Sequence, residues 1–594
     1  MPVVEEDTPP AVRSLRPPDP VWGSCPEVAP AAVDALIREL RLPRAVCSVL
    51  VARGIQEPEL AKRFLRPRLE HLHDPSTLAD GPRAAERIAR AIRADEPILV
   101  HGDYDVDGIC ATALMTRWLR HLGGVVAPFV PHRTRDGYDF SRAGLDAART
   151  AGATLIVTVD CGTVAHETVA AAAADGRDVI VTDHHTVGDR LPAAYAVVNP
   201  QRADCAYPEK GLCGTGLAYR LCGLVAEALD ADAAELTAYL DLVALATVAD
   251  LVPLTGENRV LVSYGLRRFA HTRVPGIAAL LTASSVEPGQ VTSGKLGFVV
   301  APRINAAGRI GEAADALRLL LTDDPTEARA LAERLEEING ERRRVDMRTL
   351  DEALDRLEGE YDAERDYGVV LAADGWHPGV IGIVASRLVE RIHRPVVLVA
   401  LEGDRGRGSA RSIPAFHLYE ALKTCAAHLD RFGGHRQAAG MDVRRAAVPA
   451  LREAFNEHAR SVLGPDDLRP RLRPDLTLDP AEIDLELVRW LEYLGPHGIG
   501  NPGPLFRSES LRVEGPRQVG QGHLKAALAG GAGRLDAIGF GIWNRFPPDA
   551  LGREPHDALY RLERNEWRGR VSLQARLLDL RRSTGAETAG DRVR

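Results

Sequence analysis

The sequence lacks several features that would assign it to other classes of protein. No run of residues approaches the roughly 18 uninterrupted apolar positions of a membrane helix. The N-terminus carries Glu5, Glu6 and Asp7, where a signal peptide needs positive charge and then an apolar run. The eight cysteines are scattered without a C-x-x-C pair, so neither a zinc ribbon nor a disulfide framework is expected. We therefore expect a cytoplasmic protein with reduced thiols and no membrane association.

An excess of positive charge is also missing. The formal net charge is −9, and lysine is nearly absent because arginine takes its place. This charge excludes a histone-like binder, but it allows an enzyme whose acidic site lies beside a local basic groove. The 594 residues exceed the roughly 250 to 300 at which a single core stops growing, so several packed units are expected.

The pattern along the chain predicts an α/β protein with three domains. Short β-branched runs, "PILV", "TLIVTVD" and "DVIVTD", alternate with helical segments, which is typical of a parallel sheet wrapped by helices. Short alternating runs near the C-terminus predict a small β-barrel or sandwich. The expected divisions are a disordered tail (1–22), a helical lead-in (23–96), a parallel-sheet catalytic domain (97–322), a connecting helix whose spacing slips near 340–344 (323–360), a second α/β domain (361–464), a β-barrel domain (465–582) and a disordered tail (583–594).

The strongest chemical signal is "HGDYDVDG", residues 101–108, which lies between an apolar strand and an apolar helix. Asp103, Asp105 and Asp107 alternate, so an extended backbone directs them to the same side. Carboxylates held this close raise one another's pKa unless a cation neutralises them. An acidic turn or helix cap is the alternative, but three alternating aspartates exceed what a cap requires.

Two further acidic residues end predicted strands. Asp160 closes "TLIVTVD", and Asp183 closes "DVIVTD" immediately before His184 and His185. Because the C-terminal edges of parallel strands meet at one crevice, these side chains are expected to converge. Carboxylates with one or two imidazoles suit Mn²⁺ or Mg²⁺, and two ions are more plausible than one. Asp250 is a further candidate in an apolar run, although taken alone it is more often a cap.

Four motifs, "GDYDVDG", "VTVDCG", "TDHH" and "VADLVPL", resemble in order and spacing those of the DHH phosphoesterase superfamily. Within it the chain is similar to RecJ-type nucleases over nearly its whole length, since "PRINAAGR", "GSARS", "FGGHRQAAG" and "GIGNPGPLF" also match. The resemblance implies a DHH catalytic domain, an α/β DHH-associated domain and a C-terminal OB-fold. The chain departs from the family at Asp139, where glycine is expected.

The resemblance also implies roles for individual residues. The implied metal ligands, with His101 near them, are Asp103, Asp105, Asp107, Asp160, His184 and Asp250. His185 is the implied acid or electrostatic partner of the reacting phosphate, with Asp183 and Asp160 as the other catalytic residues. The implied substrate-binding residues are Ser409, Arg411, His435, Arg303 and Arg309. Three alternatives stay open: Asp183 could serve mainly as a strand-end cap, Arg411 could pair with Asp404 or Glu402, and Arg303 and Arg309 could serve helix packing.

These features predict a 5′ to 3′ single-stranded-DNA exonuclease that releases nucleoside 5′-monophosphates by two-metal hydrolysis, in DNA repair and recombination. The family implies single-stranded DNA with a free 5′ end as substrate and a RecQ-type helicase and single-strand-binding protein as partners; a monomer is expected. A phosphodiesterase for short RNA or cyclic dinucleotides is the alternative, and it would not need residues beyond about 465. A non-catalytic scaffold is the third reading, but every expected metal ligand is present.

Overall fold

The computed structural model describes residues 15, 18–137, 139–546, 551–552, 554–567 and 570–583, without the side chains of residues 566, 567 and 570. The two predicted disordered tails lie mostly outside these residues. The chain forms two compact units. The catalytic unit comprises residues 63–342 and 494–502, and the second unit comprises residues 1–62, 343–493 and 503–594.

Several helices begin where the sequence favours a helix start, with Asp105 and Asp484 as capping residues and proline in the first turn at Pro30 and Pro275. The α-helices are α1 (Pro30–Leu40), α2 (Arg44–Ala52), α3 (Pro58–Leu65), α4 (Gly81–Arg93), α5 (Val106–His121), α6 (Arg142–Thr150), α7 (His166–Ala174), α8 (Gly214–Ala228), α9 (Leu240–Ala249), α10 (Gly256–Arg268), α11 (Pro275–Ala283), α12 (Ser293–Lys295), α13 (Ala301–Ile310), α14 (Ala313–Leu321), α15 (Pro325–Glu360), α16 (Ile381–Ile392), α17 (Leu418–Thr424), α18 (Val448–Val462) and α19 (Leu485–Glu492).

The described strands fall into four sheets, one of which is a pair of two-residue strands. They are β1 (Val21–Trp22), β2 (Ile98–Gly102), β3 (Val126–Phe129), β4 (Leu155–Val159), β5 (Asp178–Thr182), β6 (Ala196–Val198), β7 (Val369–Asp374), β8 (Val396–Glu402), β9 (Arg405–Arg411), β10 (Arg431–Gly434), β11 (Ala438–Arg444), β12 (Arg471–Leu472), β13 (Leu476–Thr477), β14 (Phe506–Val519), β15 (His523–Gly530), β16 (Gly533–Gly539), β17 (His556–Trp567) and β18 (Arg570–Arg582).

The catalytic unit contains the predicted parallel sheet, in the order β3-β2-β4-β5-β6. Alternate residues of β2 enter two different cores: Val100 packs with α4, α5 and α8, and Leu99 packs with α6 and α7. Helices therefore cover both faces of the sheet, as the unbroken apolar runs of its strands require. Because β2 lies between β3 and β4, the winding of the sheet reverses there, and a crevice opens at the C-terminal ends of β2 and β4.

The second unit holds a mixed sheet in the order β10-β11-β9-β8-β7, in which β7 and β8 are parallel. It also holds a barrel of β14, β15, β16, β18 and β17, which closes through pairing of β14 with β17 and is extended by β13 alongside β14. The predicted fold class, with two α/β domains and a C-terminal barrel, is thus confirmed. Val21–Trp22, at the end of the predicted N-terminal tail, pairs in parallel with Arg471–Leu472.

One unbroken helix, α15, occupies the segment in which the apolar spacing slips. The slip reflects buried polar side chains rather than a break. Arg342 donates to Asn339 at 2.7 Å, and the fully buried carboxylate of Asp346 pairs with Arg387 at 2.9 Å. None of the described helices combines the length and the apolar character that a membrane crossing requires.

Candidate active site

A tight loop at the end of β2 carries the first three aspartates. The Asp105 carboxylate caps α5 by accepting the backbone N–H groups of Asp107 and Gly108 at 3.0 and 3.1 Å. A Cβ at Gly108 would lie 2.4 Å from the backbone nitrogen of Asp103, and a Cβ at Gly102 would lie 2.0 Å from Thr112 Oγ1. The glycines of this motif are therefore required for the loop to close.

Asp107 is held in place by the N-terminus of α8. Its two carboxylate oxygens accept the backbone N–H groups of Gly214 at 2.6 Å and Thr215 at 2.8 Å. The unpaired amides and the dipole of a helix N-terminus favour a negative charge at this position. The carboxylate is thus oriented by a segment that is distant in the sequence.

Asp160 follows β4 with a positive φ of 63° and is 2% exposed. A Cβ at Gly214 would lie 2.5 Å from the Cβ of Asp160, so glycine is needed there as well. Asp160 Oδ1 lies 3.0 Å from His184 Nε2. Left-handed backbone at a non-glycine residue is strained, and such strain clusters at functional sites.

Asp183, at the end of β5, orients the two histidines that follow it. Its Oδ1 accepts the backbone N–H groups of His184 and His185 at 2.8 and 3.0 Å and lies 2.8 Å from His185 Nδ1. Burial by itself would raise the pKa of Asp183, but the hydrogen bond and the charge of His185 bring it below the usual range. The same contact, against the effect of burial, raises the pKa of His185 to about 9.

The six predicted metal ligands, together with His185, form three overlapping sets of ligand atoms. Within each set the atoms lie within 4.8 Å of one another. Asp250, at the C-terminal end of α9, enters one set, with its Oδ2 3.7 Å from His184 Nε2. The sets are Asp160, His184 and His185; Asp107, His184 and Asp250; and Asp103, Asp105 and Asp160. The structure thus brings together side chains from β2, β4, β5 and α9.

The electrostatics of this cluster fit a divalent cation. Burial, and then repulsion by neighbouring carboxylates, raise the pKa of Asp103, Asp160 and Asp250 well above the usual range. Three buried atoms of the described cluster make no hydrogen bond: Asp103 Oδ1, and the pair Asp160 Oδ1 and His184 Nε2, which lie 3.0 Å apart. Burial also lowers the pKa of His184, which favours the neutral, metal-binding form of the ring. Oxygen and imidazole donors of this kind suit Mn²⁺ or Mg²⁺.

His101 lies apart from the ligand sets. Its ring packs against Phe129 and Phe140 at 5.3 and 5.2 Å, and a Cβ at Gly144 would lie 2.5 Å from its Nε2. Burial lowers the pKa of His101 to about 4. The imidazole is therefore a neutral packing element behind the first aspartate loop.

Two residues hold the loops of the site in position without a role predicted from the sequence. Asn199 donates to the carbonyl of His185 at 3.0 Å and so fixes the histidine loop. Asp139, where the family pattern has glycine, adopts a positive φ of 74° and accepts the N–H of Gly162 at 2.6 Å. Aspartate tolerates this conformation better than most residues, so the departure is structurally accommodated. The only sequence signal for either residue was its place after a strand or in a turn.

In the second unit, the predicted substrate residues lie on neighbouring strands. Ser409 and Arg411 share one face of β9, and Arg411 Nη1 donates to Ser409 Oγ at 3.2 Å. His435 is exposed in the turn between β10 and β11, close to Ala438, which lies opposite Arg411. Arg411 lies at the end of β9 away from Glu402 and Asp404, about 20 Å along the strand, so the alternative ion pair is out of reach.

Arg303 and Arg309 both lie on α13. Arg303 is 6% exposed, pairs with Glu336 of α15 and donates to the carbonyl of Val299. These contacts fit the alternative in which Arg303 serves helix packing. Arg309 is partly exposed, one turn beyond Asn305.

Three family models match the chain: "DHH family, N-terminal domain" over residues 97–247, "DHHA1 domain" over 366–461 and "RecJ OB domain" over 474–579. Together with the clustered aspartates and histidines, the first match defines a metal-dependent phosphoesterase of the DHH type.

The single-stranded-DNA-specific exonuclease RecJ of Escherichia coli is 37% identical over 92% of this chain and 95% of its own length. That of Bacillus subtilis is 37% identical over 86% of this chain and 64% of its own length. The crystal structure of RecJ from Thermus thermophilus in complex with Mn²⁺ matches with a TM-score of 0.82 and 33% identity, over 94% of this chain and 79% of that one. Its complex with Mg²⁺ matches with a TM-score of 0.75 and 32% identity, over 94% and 78%. The chain belongs to the RecJ family of metal-dependent, single-stranded-DNA-specific exonucleases.

Proposed function

We propose that the chain removes nucleotides from the 5′ end of single-stranded DNA as nucleoside 5′-monophosphates, with the aid of two divalent cations. The observation that carries the metal count is the overlap of the ligand sets, because Asp160 and His184 each belong to two of them. Shared ligands hold paired ions roughly 3.5 to 4 Å apart. When bound, such ions polarise the phosphate and lower the pKa of a water molecule.

The chain's own residues then hold the cations, position the substrate and supply a proton. The cations would be held by Asp103, Asp105, Asp107, Asp160, His184 and Asp250, of which Asp160 belongs to two of the ligand sets. Asp183 orients the His185 ring through Nδ1, and we assign the contact with the reacting phosphate to His185 Nε2. In the second unit, Ser409, Arg411 and His435 are assigned to the DNA backbone, since a guanidinium beside a hydroxyl suits phosphate oxygens. Arg309 is a further phosphate contact in this proposal, and Arg303 mainly supports the fold.

A row of cations on the barrel supports a single-stranded substrate. Residues directly opposite one another on successive strands form the row, which contains four cations, Arg517, Lys525, Arg576 and Arg561, and the apolar Ile538. Arg576 also pairs with Glu563 at 3.5 Å. The Arg576 guanidinium also lies 5.3 Å from the ring centre of the exposed Phe540. Positive charge next to an aromatic ring is the usual means of binding a flexible strand. A phosphodiesterase for dinucleotides has no need of this surface.

The same proposal extends to partners and compartment. A strand-specific exonuclease requires unwound DNA, so a RecQ-type helicase and single-strand-binding protein are the proposed partners in repair and recombination. Action as a monomer is part of the same proposal. The eight cysteines are free thiols, which supports the reducing cytoplasm.

The test is release of label from 5′- and 3′-labelled single-stranded and duplex oligonucleotides, with Mn²⁺, Mg²⁺ or EDTA. We expect metal-dependent release of mononucleotides from the 5′ end of single strands. Asp160→Asn should lower the rate on the order of a hundredfold or more, because it removes a shared ligand. Asp241→Asn is the matched control, since Asp241 is a buried aspartate of the same unit outside the ligand sets. Intact DNA under every metal condition would contradict the proposal and favour short RNA or cyclic dinucleotides.

A further inference from the structure

Phe298 is the most exposed large apolar side chain in the described part of the chain, at 88%. It lies in a π-helical turn, Leu296–Val300, which continues directly into α13. Turns of this kind are rare and are frequent at functional sites. A phenylalanine held in solvent forfeits the burial that normally stabilises it.

The first end of this helix lies beside a metal-ligand candidate. A Cβ at Gly297 would lie 3.4 Å from Val248 Cγ1, and Val248 precedes Asp250 by two residues on α9. Leu251, which follows Asp250, is itself 68% exposed. The backbone next to Phe298 therefore packs against the last turn of α9, which ends at Asp250.

The other end of the same helix touches the first aspartate loop. A Cβ at Gly308 would lie 2.3 Å from the carbonyl oxygen of Tyr104, the residue between Asp103 and Asp105. The helix is thus packed at both ends against segments that carry candidate ligands. Its position is set by the same loops that hold the ligands.

One face of this helix is exposed at Phe298 and partly exposed beyond it; we call it the open face. It is formed by residues spaced four, three and four apart, namely Phe298, Pro302, Asn305 and Arg309. The residues between them that pack inward, such as Ala301 and Ile304, are buried. At about 1.5 Å per residue, the open face runs roughly 16 Å from an aromatic ring to a guanidinium. An aromatic ring and a guanidinium on one strip match the two parts of a nucleotide strand, base and phosphate.

We propose that Phe298 stacks on a nucleobase of the single strand whose backbone is held at the metal site, and so positions that strand for hydrolysis. This inference rests on the proposed function. Stacking on an aromatic ring is available to every base, so Phe298 supports degradation without sequence preference. In a duplex the bases are already stacked and paired, so the same contact favours single strands.

The test uses oligonucleotides with one abasic site, moved nucleotide by nucleotide from each end, in Mn²⁺ with the full-length protein. For the parent protein, an abasic site at one particular position should raise KM about 5- to 150-fold, the range expected for loss of one stacked base. On intact DNA, Phe298→Ala should show a KM comparable to the raised KM of the parent on abasic DNA. An abasic site should then raise the KM of this variant no further. Phe298→Trp should restore the parent behaviour. Val125→Ala is the matched control, because Val125 is 50% exposed in the same unit at the opposite, N-terminal end of β3.

A second readout does not depend on turnover. In Asp160→Asn protein, 2-aminopurine at the sensitive position should be quenched on binding, and adding Phe298→Ala should remove the quenching. Phe298→Ala that keeps the parent's abasic sensitivity overturns the inference while the nuclease function stands. So does an effect that requires added single-strand-binding protein, which would instead indicate a protein contact. If the parent protein leaves all single strands intact, the proposed function fails first.

Discussion

Asp241→Asn is expected to stabilise the catalytic unit at neutral and alkaline pH. Asp241 lies on α9 and is fully buried; its carboxylate accepts the hydroxyl of Thr272 and the backbone N–H of Leu242. Burial, only partly opposed by the Thr272 hydrogen bond, raises the pKa of Asp241 to about 6 from the ordinary 3.8. At pH 8 the folded unit is therefore destabilised by an ionised buried carboxylate that an amide would avoid.

The sign and size of the effect follow from proton linkage. Because the folded-state pKa exceeds the unfolded one, the folded state binds the proton more tightly. The stability that the protonated carboxyl contributes is complete below pH about 4 and is lost as the pH rises through about 6. A difference of about 2 pKa units corresponds to roughly 3 kcal/mol at pH 8. With an unfolding entropy of about 2.1 cal/mol/K per residue over some 290 residues, the variant should unfold about 5 °C higher at pH 8.

The assay is thermal and urea unfolding of parent and variant between pH 4.5 and 8.5, in EDTA so that metal binding does not contribute. Titration of the metal-site carboxylates affects both proteins, so it cancels in their difference. Asp189→Asn, at an exposed carboxylate of the same unit, is the control and should give a difference independent of pH. A variant that is less stable than the parent at every pH would refute the reasoning. It would mean that the hydrogen bonds accepted by the Asp241 carboxylate outweigh the cost of its burial.

Three further predictions concern the site and the second unit. Mn²⁺ at a hundred times its Kd should stabilise the parent by about 2.7 kcal/mol, and Asp250→Asn should lose most of this shift. In EDTA that variant should be at least as stable as the parent, because repulsion by Asp107 and Asp105 is removed; an unchanged Mn²⁺ shift by calorimetry would rule Asp250 out as a ligand. Trp22→Ala should destabilise the second unit by about 2 kcal/mol, because the buried Asp579 then loses the Trp22 N–H that it accepts at 2.7 Å. Trp22→Phe should lose less stability if stacking on Arg581 contributes. Arg411→Lys should raise KM for single strands several-fold without loss of stability, because lysine keeps the charge but cannot bind a phosphate through two parallel N–H groups. An unchanged KM would argue against a phosphate contact.

The sequence was sufficient to predict the fold class and the meeting of the acidic strand ends. Asp103, Asp160 and Asp183 each follow a short apolar run, and neighbouring parallel strands necessarily bring such ends to one edge. The physical reason is local: strand direction, alternation and turn chemistry are all encoded within a few residues of each aspartate. The residue numbers of the cluster could therefore be named before the structure.

The supporting contacts could not be predicted in the same way. Nothing in the sequence around Asp107 indicates that the backbone of Gly214 and Thr215 holds it, because that contact depends on how α8 docks. The resemblance implies that His101 lies near the ligands, and the sequence gives no sign that its ring packs against Gly144. Long-range packing, which a single sequence does not encode legibly, decides both contacts.

The acidic edge divides into two kinds of carboxylate, and this division bears on what a cation does here. Asp107 and Asp183 are satisfied by backbone N–H groups, so the protein alone fixes their positions. Asp103 buries an oxygen without a hydrogen-bond partner in the described chain, and Asp160 Oδ1 has only the His184 ring beside it at 3.0 Å, so a proton or a cation is needed to compensate them. The first kind forms a rigid frame that holds its geometry when metal is removed. The second kind makes bound metal a part of the folding free energy as well as of the chemistry, so chelation should weaken the unit without dismantling its loops.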